Sequence, residues 1–396
     1  MSKAVQDALN QTAELPVYAT PEDVVSALDP DYPIYCVRPH AIHRAARLFL
    51  DKFPGETLYA VKCNPAPHML KALYQAGIRH FDTASLAEIA LVSQLFPESV
   101  CYFMHPVKAR AAIAEAHERY GVRHHVVDHL HELQKIAEVI PAHRDVVILV
   151  RLAVHHQQVV YDLSSKFGTS AEEALVLLAE IQRRGFSAGL CFHVGSQCLD
   201  PDAYRVAMQT VREVLDRTPV PLRCVDVGGG FPGRYLNHPV DGLSSYIDAV
   251  VAATRELGEA GESQLFCEPG RGLAEGGESL ITQVQLRKDS ALYLNDGIYG
   301  SMNEEQTGLR RPHRVVATRK FSAERTRFTV YGPTCDSLDV LPDSVELPED
   351  LREGDWIEFG GMGAYGLACR TAFNGFFPNA FVAVENEFVA DGSPLG

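Results

Sequence analysis

Lys62 stands near the end of a short apolar run, Thr57-Leu-Tyr-Ala-Val-Lys-Cys-Asn-Pro65, where Asn64 and Pro65 break a strand. An amine so placed leaves a sheet interior and is held over whatever pocket the strand ends surround. Partial desolvation lowers the pKa of an ammonium, and the neutral amine can form a Schiff base with an aldehyde. A lone lysine at a strand terminus is ordinarily only a solvated charge. Here most of the neighbouring runs end in chemistry too. His80-Phe81 ends in Asp82-Thr-Ala-Ser85, Val100 to Met104 in His105-Pro106, and His124 to Val127 in Asp128. Val146 to Val150 ends in Arg151, Gly189 to Phe192 in His193-Val-Gly-Ser196, and Cys224-Val225 in Asp226-Val-Gly-Gly-Gly230. Gln264 to Cys267 ends in Glu268-Pro-Gly-Arg271.

Gly228-Gly-Gly-Phe-Pro-Gly233 can cradle a phosphate with its backbone N–H groups. Gly228, Gly230 and Gly233 also have the spacing of a dinucleotide fingerprint, but Pro232 removes a donor and the run follows a late strand. A single phosphate suits it better. Glu268 and Arg271, three residues apart, offer a carboxylate that could hold a pyridine nitrogen protonated and a guanidinium for a phosphate. A structural ion pair is the plain alternative. His193 could stack on a flat ring and Ser196 could bind phosphate, against a satisfied core histidine. Asp82 and Glu88 could equally be helix-start and surface carboxylates. His155-His156 lacks a third nearby ligand and reads as loop. A lysine, a pyridinium-type carboxylate, a stacking ring and a phosphate cradle are together the set that pyridoxal 5′-phosphate needs.

Helix-like stretches separate these runs, among them Ala84 to Leu95, Ala111 to Tyr120, Ala171 to Arg184, Tyr204 to Arg217 and Ser244 to Leu257. Strand and helix alternating through eight units predict a (β/α)8 TIM-like barrel, which gathers reactive groups at the C-terminal strand ends. An open doubly wound sheet would alternate in the same way. After Arg271 the texture changes to strand-like runs at Leu280 to Leu286, Ala291 to Leu294, Arg314 to Thr318, Arg327 to Tyr331, Trp356 to Phe359 and Phe381 to Val384. They predict a C-terminal all-β domain, which the strand Pro33 to Val37 of the N-terminal segment could complete. The expected division is residues 1–38, a barrel over 39–272 and a β domain over 273–396.

The chain of 396 residues carries a formal net charge of −15, which argues against nucleic acid and anionic membrane surfaces as partners. No apolar run approaches the roughly 20 residues of a membrane helix. The start, Met1-Ser-Lys-Ala-Val-Gln-Asp, lacks a signal peptide's apolar core. Nine cysteines without paired short spacings read as reduced thiols in a cytoplasmic protein rather than disulfides or a metal site. Cys36, Cys101, Cys191, Cys224 and Cys267 lie in apolar runs, as core residues would.

From about Pro33 to Ala383 the chain resembles the fold-type III pyridoxal-phosphate decarboxylases, the ornithine/diaminopimelate/arginine decarboxylase family, and its ornithine branch above all. The resemblance rests on Tyr59-Ala-Val-Lys-Cys-Asn-Pro65, Phe81-Asp-Thr-Ala-Ser85, Lys166-Phe-Gly168, His193-Val-Gly-Ser-Gln197, Asp226-Val-Gly-Gly-Gly-Phe-Pro-Gly233 and Glu268-Pro-Gly-Arg271. It continues through Gly332-Pro-Thr-Cys-Asp-Ser-Leu-Asp339, Gly363-Ala-Tyr365 and Phe373-Asn-Gly-Phe376. It implies that Lys62 carries the cofactor as a Schiff base, Glu268 binds the pyridine nitrogen and His193 stacks on the ring. Ser196, Gly228, Gly229, Gly230, Gly270, Arg271 and Tyr365 would hold the phosphate, with Asp82 and Arg151 also on the cofactor side. Cys335 would protonate the substrate carbon and Asp336 would meet the distal amine, both from the second subunit of a homodimer. Tyr365 would also face the substrate.

The sequence departs from the ornithine pattern after Asn295-Asp-Gly-Ile-Tyr-Gly300, where the family places a Tyr-Asp pair a few residues on. Here Met302-Asn-Glu-Glu-Gln-Thr-Gly-Leu-Arg-Arg311 stands instead. Glu304 or Glu305 could replace the acid, Arg310 or Arg311 could bind a distal carboxylate, or the segment could be a surface turn of mixed charge. Ornithine is the leading substrate, with lysine and diaminopimelate behind it. A catalytically silent relative and an amino-acid racemase are the competing classes. Lys62, Glu268 and Cys335 speak against the first, and the Gly-Pro-Thr-Cys-Asp segment against the second.

Overall fold

The computed structural model describes residues 14–154, 159–161, 163–257 and 263–391, so the His155-His156 pair lies outside the described residues. Two compact units divide the chain. Ala45–Pro232 and Val240–Leu273 form the first, while Ala13–Arg44, Gly233–Pro239 and the segment beginning at Ala274 form the second.

The first unit is a closed barrel of eight parallel strands. In chain order these are Glu56–Ala60, His80–Thr83, Val100–Phe103, His124–Val127, Val147–Arg151, Ser187–Cys191, Leu222–Asp226 and Gln264–Cys267. The last pairs with the first and shuts the ring. A helix follows each of the first seven strands, and only the short turn Arg271–Ala274 follows the eighth. The helices obey simple rules. Ala171–Arg183 starts at a capping box between Ser170 and Glu173 and buries Ala174, Leu177, Leu178 and Ile181, spaced as one helical face requires. Apolar side chains from most of the strands, among them Leu58, Tyr102, Leu149, Cys224 and Phe266, pack into one buried cluster. With the barrel plugged by packing, chemistry is left to its rim.

The second unit is a nine-stranded sheet. Its strand Ile34–Val37, with all four residues buried, lies between Glu278–Lys288 on one side and Ala380–Val384 on the other. The N-terminal segment therefore completes the β domain. A buried ionic chain ties its parts together. Arg38 donates to Glu358 at 2.8 Å and to Ser279 at 2.7 Å, Arg314 donates to the other oxygen of Glu358 at 2.6 Å, and Arg314 also holds Glu22. Arg38 and Glu358 are all but sealed from solvent, and each has an opposite charge in hydrogen-bond reach, the condition under which burial of a charge is tolerable.

Four short strands were not anticipated. Val17–Tyr18 joins the sheet edge beside Ala380–Val384. Val345–Pro348 pairs with Arg325–Tyr331. In the barrel unit Ser196–Cys198 pairs with Val159–Tyr161.

Candidate active site

The first barrel strand stops at Ala60, and Lys62 rides on the single turn Val61–Cys63 just beyond it rather than on the strand itself. Burial of Val61 and Cys63 on either side fixes the turn, while the Lys62 side chain stays 41% exposed. Its amine lies 2.5 Å from Asp82 on the next strand. Asp82 is buried, not a surface carboxylate, and its second oxygen has no hydrogen-bond partner among the described residues. Glu88 also departs from the surface reading. In the first turn of Leu86–Leu95 it accepts the Ala84 N–H at 2.7 Å, and burial, reinforced by the charge of Asp82, pushes its carboxyl up to about 7.

His193, just past the sixth strand, accepts the Gly195 N–H on Nδ1 at 3.0 Å, which leaves Nε2 to carry the proton. Burial and then the cations of Arg151 and Lys62 drive the ring well below its ordinary pKa, so it is a neutral, fixed plate. Arg151 ends the fifth strand with its guanidinium over the Phe167 ring. Ser196 receives a long contact, 3.5 Å, from the buried Arg271.

Gly228-Gly-Gly230 passes between these groups, and its glycines are required. Gly228 and Gly230 have φ of 67° and 108°, and a Cβ on Gly229 would come within 2.9 Å of His193 Nε2. Glu268 N–H donates to the Gly228 carbonyl at 2.8 Å, which brings the Glu268 carboxyl to the same rim. Burial, then Asp226, then Asp82 hold that carboxyl well above the carboxylate range. Gly270 has no room for a side chain, since a Cβ there would meet Ala60 and Cys63 around the Lys62 turn.

Lys62, Asp82, Arg151, His193, Ser196, Gly228–Gly230, Glu268, Gly270 and Arg271 are thus brought together at the C-terminal end of one barrel. They suit pyridoxal 5′-phosphate. A glycine cradle, in which the Gly228 N–H is taken by Asp226, offers with Ser196 and Arg271 backbone N–H, hydroxyl and guanidinium donors for a phosphate. A neutral imidazole offers a face for the ring, Glu268 a partner for a ring nitrogen, and Lys62 an amine for the aldehyde.

The remaining candidates belong to the β unit. Cys335 is exposed, its backbone N–H donating to Asn374 at 3.0 Å. The Tyr299 hydroxyl donates to Asp336 at 2.5 Å and holds that carboxyl below its usual range. Tyr365 has φ of 60°, a left-handed backbone that sets its direction at the start of Gly366–Cys369. Segment 302–311 is not a surface turn. Asn303–Thr307 forms a single turn with Glu304 and Glu305 buried, Arg311 donates to Glu304 and to the Gly361 carbonyl, and Arg310 pairs with Asp343. Tyr299 and Asp226 are two residues whose roles the sequence did not single out. Asp226 occupies a strand end like the other candidate residues, but the glycine run beside it drew the attention.

A barrel of this kind with a lysine, an acid and a glycine cradle on its rim defines a pyridoxal-phosphate enzyme. Residues 40–275 match the family model described as pyridoxal-dependent decarboxylase, pyridoxal binding domain. The chain is 34% identical over 371 residues to an ornithine decarboxylase of Panagrellus redivivus, covering 85% of this chain and 83% of the relative. It is 33% identical over 342 residues to a lysine/ornithine decarboxylase of Selenomonas ruminantium, covering 83% of each. Among solved structures, the Paramecium bursaria Chlorella virus arginine decarboxylase bound to agmatine superposes with a TM-score of 0.81 at 27% identity, covering 91% of this chain and 98% of that one. The chain belongs to the pyridoxal-dependent ornithine/lysine/arginine decarboxylase family and is a decarboxylase of basic amino acids. No helix among the described residues is long and apolar enough to cross a membrane.

Proposed function

We propose that the enzyme decarboxylates L-ornithine to putrescine, and so serves polyamine synthesis, with lysine as the second substrate. The observation that carries this reading is the state of the two arginines. Arg311 is buried against Glu304 and the Gly361 carbonyl and Arg310 is paired with Asp343, so neither is left to take a distal carboxylate. Asp336, kept ionised by Tyr299, offers a distal ammonium its opposite charge.

Bound pyridoxal phosphate supplies an electron-poor ring that accepts the electron pair left when CO₂ departs. Lys62 would hold the cofactor's aldehyde through its amine, with Asp82 holding the proton of that amine. Glu268 keeps the ring nitrogen protonated, His193 supports the ring face, and Arg151 and Asp82 shape the rim around it. Ser196, Gly228, Gly229, Gly230, Gly270, Arg271 and Tyr365 fix the phosphate. Cys335 delivers a proton to the carbon that has lost CO₂. Cys335 and Asp336 act from the second subunit of a homodimer. All nine cysteines are free and seven are buried, which suits a reducing, cytoplasmic setting.

The substrate test is CO₂ release from ornithine, lysine, arginine and diaminopimelate. Ornithine should show the highest kcat/KM, and a clear preference for diaminopimelate would overturn the assignment. The dimer has its own test. Lys62→Ala and Cys335→Ala subunits, each inactive, should recover up to about a quarter of wild-type sites after random exchange, because half the dimers are then mixed and each mixed dimer has one intact site. No recovery despite demonstrated exchange would mean that the site is not shared.

A further inference from the structure

Asp226 is fully buried at the end of the seventh strand, and the mechanism above does not use it. Its Oδ1 accepts the Gly228 N–H at 2.8 Å, whereas no donor among the described residues reaches its Oδ2. The neighbouring strand end brings a second carboxyl to this place, that of Glu268: the two strands pair side by side, and the Glu268 N–H donates at 2.8 Å to the carbonyl of the same Gly228 whose N–H meets Asp226. Two acids gathered on one glycine, one of them fully buried, do not both ionise readily, so a single proton held between them is the favoured state.

We propose that Asp226 is a positioning residue that keeps one proton on the Asp226–Glu268 carboxyl pair, and that Glu268 hands this proton to the ring nitrogen when the cofactor binds. The hand-off rests on the pyridoxal-phosphate reading of the site. The balance is simple. The nitrogen gains the proton, Glu268 loses it, and the pair passes from one negative charge to two against the new cation. Lys62 and Arg151 face the pair as cations and Asp82 as a further carboxylate, with Cys191, Cys224, Cys267 and Tyr102 close enough to feel its charge. Burial raises Asp226 to about 7 and, with the charge of Asp226, holds Glu268 well above its usual value, in keeping with a shared proton. Without the charge of Asp226, Glu268 would have a weaker hold on the nitrogen's proton.

Asp226→Asn keeps the acceptor for Gly228 and removes only the charge. In the cofactor-stripped full chain, the infrared band of a protonated carboxyl should persist to higher pH in wild type than in Asp226→Asn or Glu268→Gln. Each variant should lower the midpoint of the remaining acid by about one pH unit or more, since coupling between two sites is reciprocal. Unchanged midpoints would show that burial alone protonates Glu268 and would overturn the proposal. Stability supplies a second readout. A carboxyl raised on folding contributes fully below its unfolded value, 3.8, and loses that contribution as pH rises through its folded value, about 7. Stripped wild type should therefore lose melting temperature relative to Asp226→Asn across that window, and parallel curves would count against the pair.

In the loaded protein, ¹⁵N resonance of a labelled pyridine ring should show the nitrogen deprotonating at lower pH in Asp226→Asn than in wild type. A role confined to accepting the Gly228 N–H would leave that titration unmoved. Failure to bind pyridoxal phosphate at all would overturn the hand-off together with the cofactor reading, while the carboxyl titrations in the stripped chain would still decide whether the pair exists.

Discussion

Lys62→Ala should lower CO₂ release at saturating substrate by about 10³- to 10⁴-fold, the upper range for a group that takes part directly in bond making and proton transfer. The position has no substitute. Among the groups on the rim Lys62 alone offers an amine, and Asp82 at 2.5 Å fixes where it points. Borohydride reduction of the wild-type protein should fix the cofactor on the peptide that carries Lys62, and the variant should take no label. Label on another lysine, or a variant that turns over near the wild-type rate, would remove Lys62 from the chemistry.

Asp336→Ala should depress kcat/KM for ornithine on the order of a hundredfold, as losing one partner of a desolvated charge pair does. An analogue without the distal amine should be far less affected, because the interaction lost is one that it never made. Tyr299→Phe keeps the ring against Phe373 and removes the hydroxyl from Asp336, so it should show a weaker loss in the same direction. Equal losses for both substrates in Asp336→Ala would point to general damage to the loop instead of recognition of the ammonium.

Most of the barrel was legible because its strands are short apolar runs that each stop at a polar or glycine residue. A parallel sheet buried on both faces writes itself that way. Lys62 was harder to place to the residue, since the apolar run continues through Val61 and Cys63 after the strand has ended in a turn. Segment 302–311 was misleading for a different reason. Glu304, Glu305 and Arg311 look solvent-facing by composition, but charges that neutralise one another can be buried together, and no single-residue rule encodes the pairing. Val345–Pro348 was missed because four residues between Pro, Asp and Glu give too short an alternation to stand out. Asp226 was hidden in plain view, its burial being a property of the closed ring and not of its neighbours in sequence.

The placement of Ile34–Val37 between Glu278–Lys288 and Ala380–Val384 also governs how the chain is made. These four apolar residues leave the ribosome well before their cover, because the strands that flank them are synthesised more than two hundred residues later. The barrel's own strands all lie in between, so that unit can close while the sheet is still missing a side. Until Ala380–Val384 arrives, a nascent chain exposes a sticky edge, and a message truncated shortly before that strand would release a protein with a finished rim and an unprotected Ile-Tyr-Cys-Val. Chaperone demand and quality control for this enzyme should therefore be concentrated in the interval between completion of the barrel strands and emergence of Ala380–Val384.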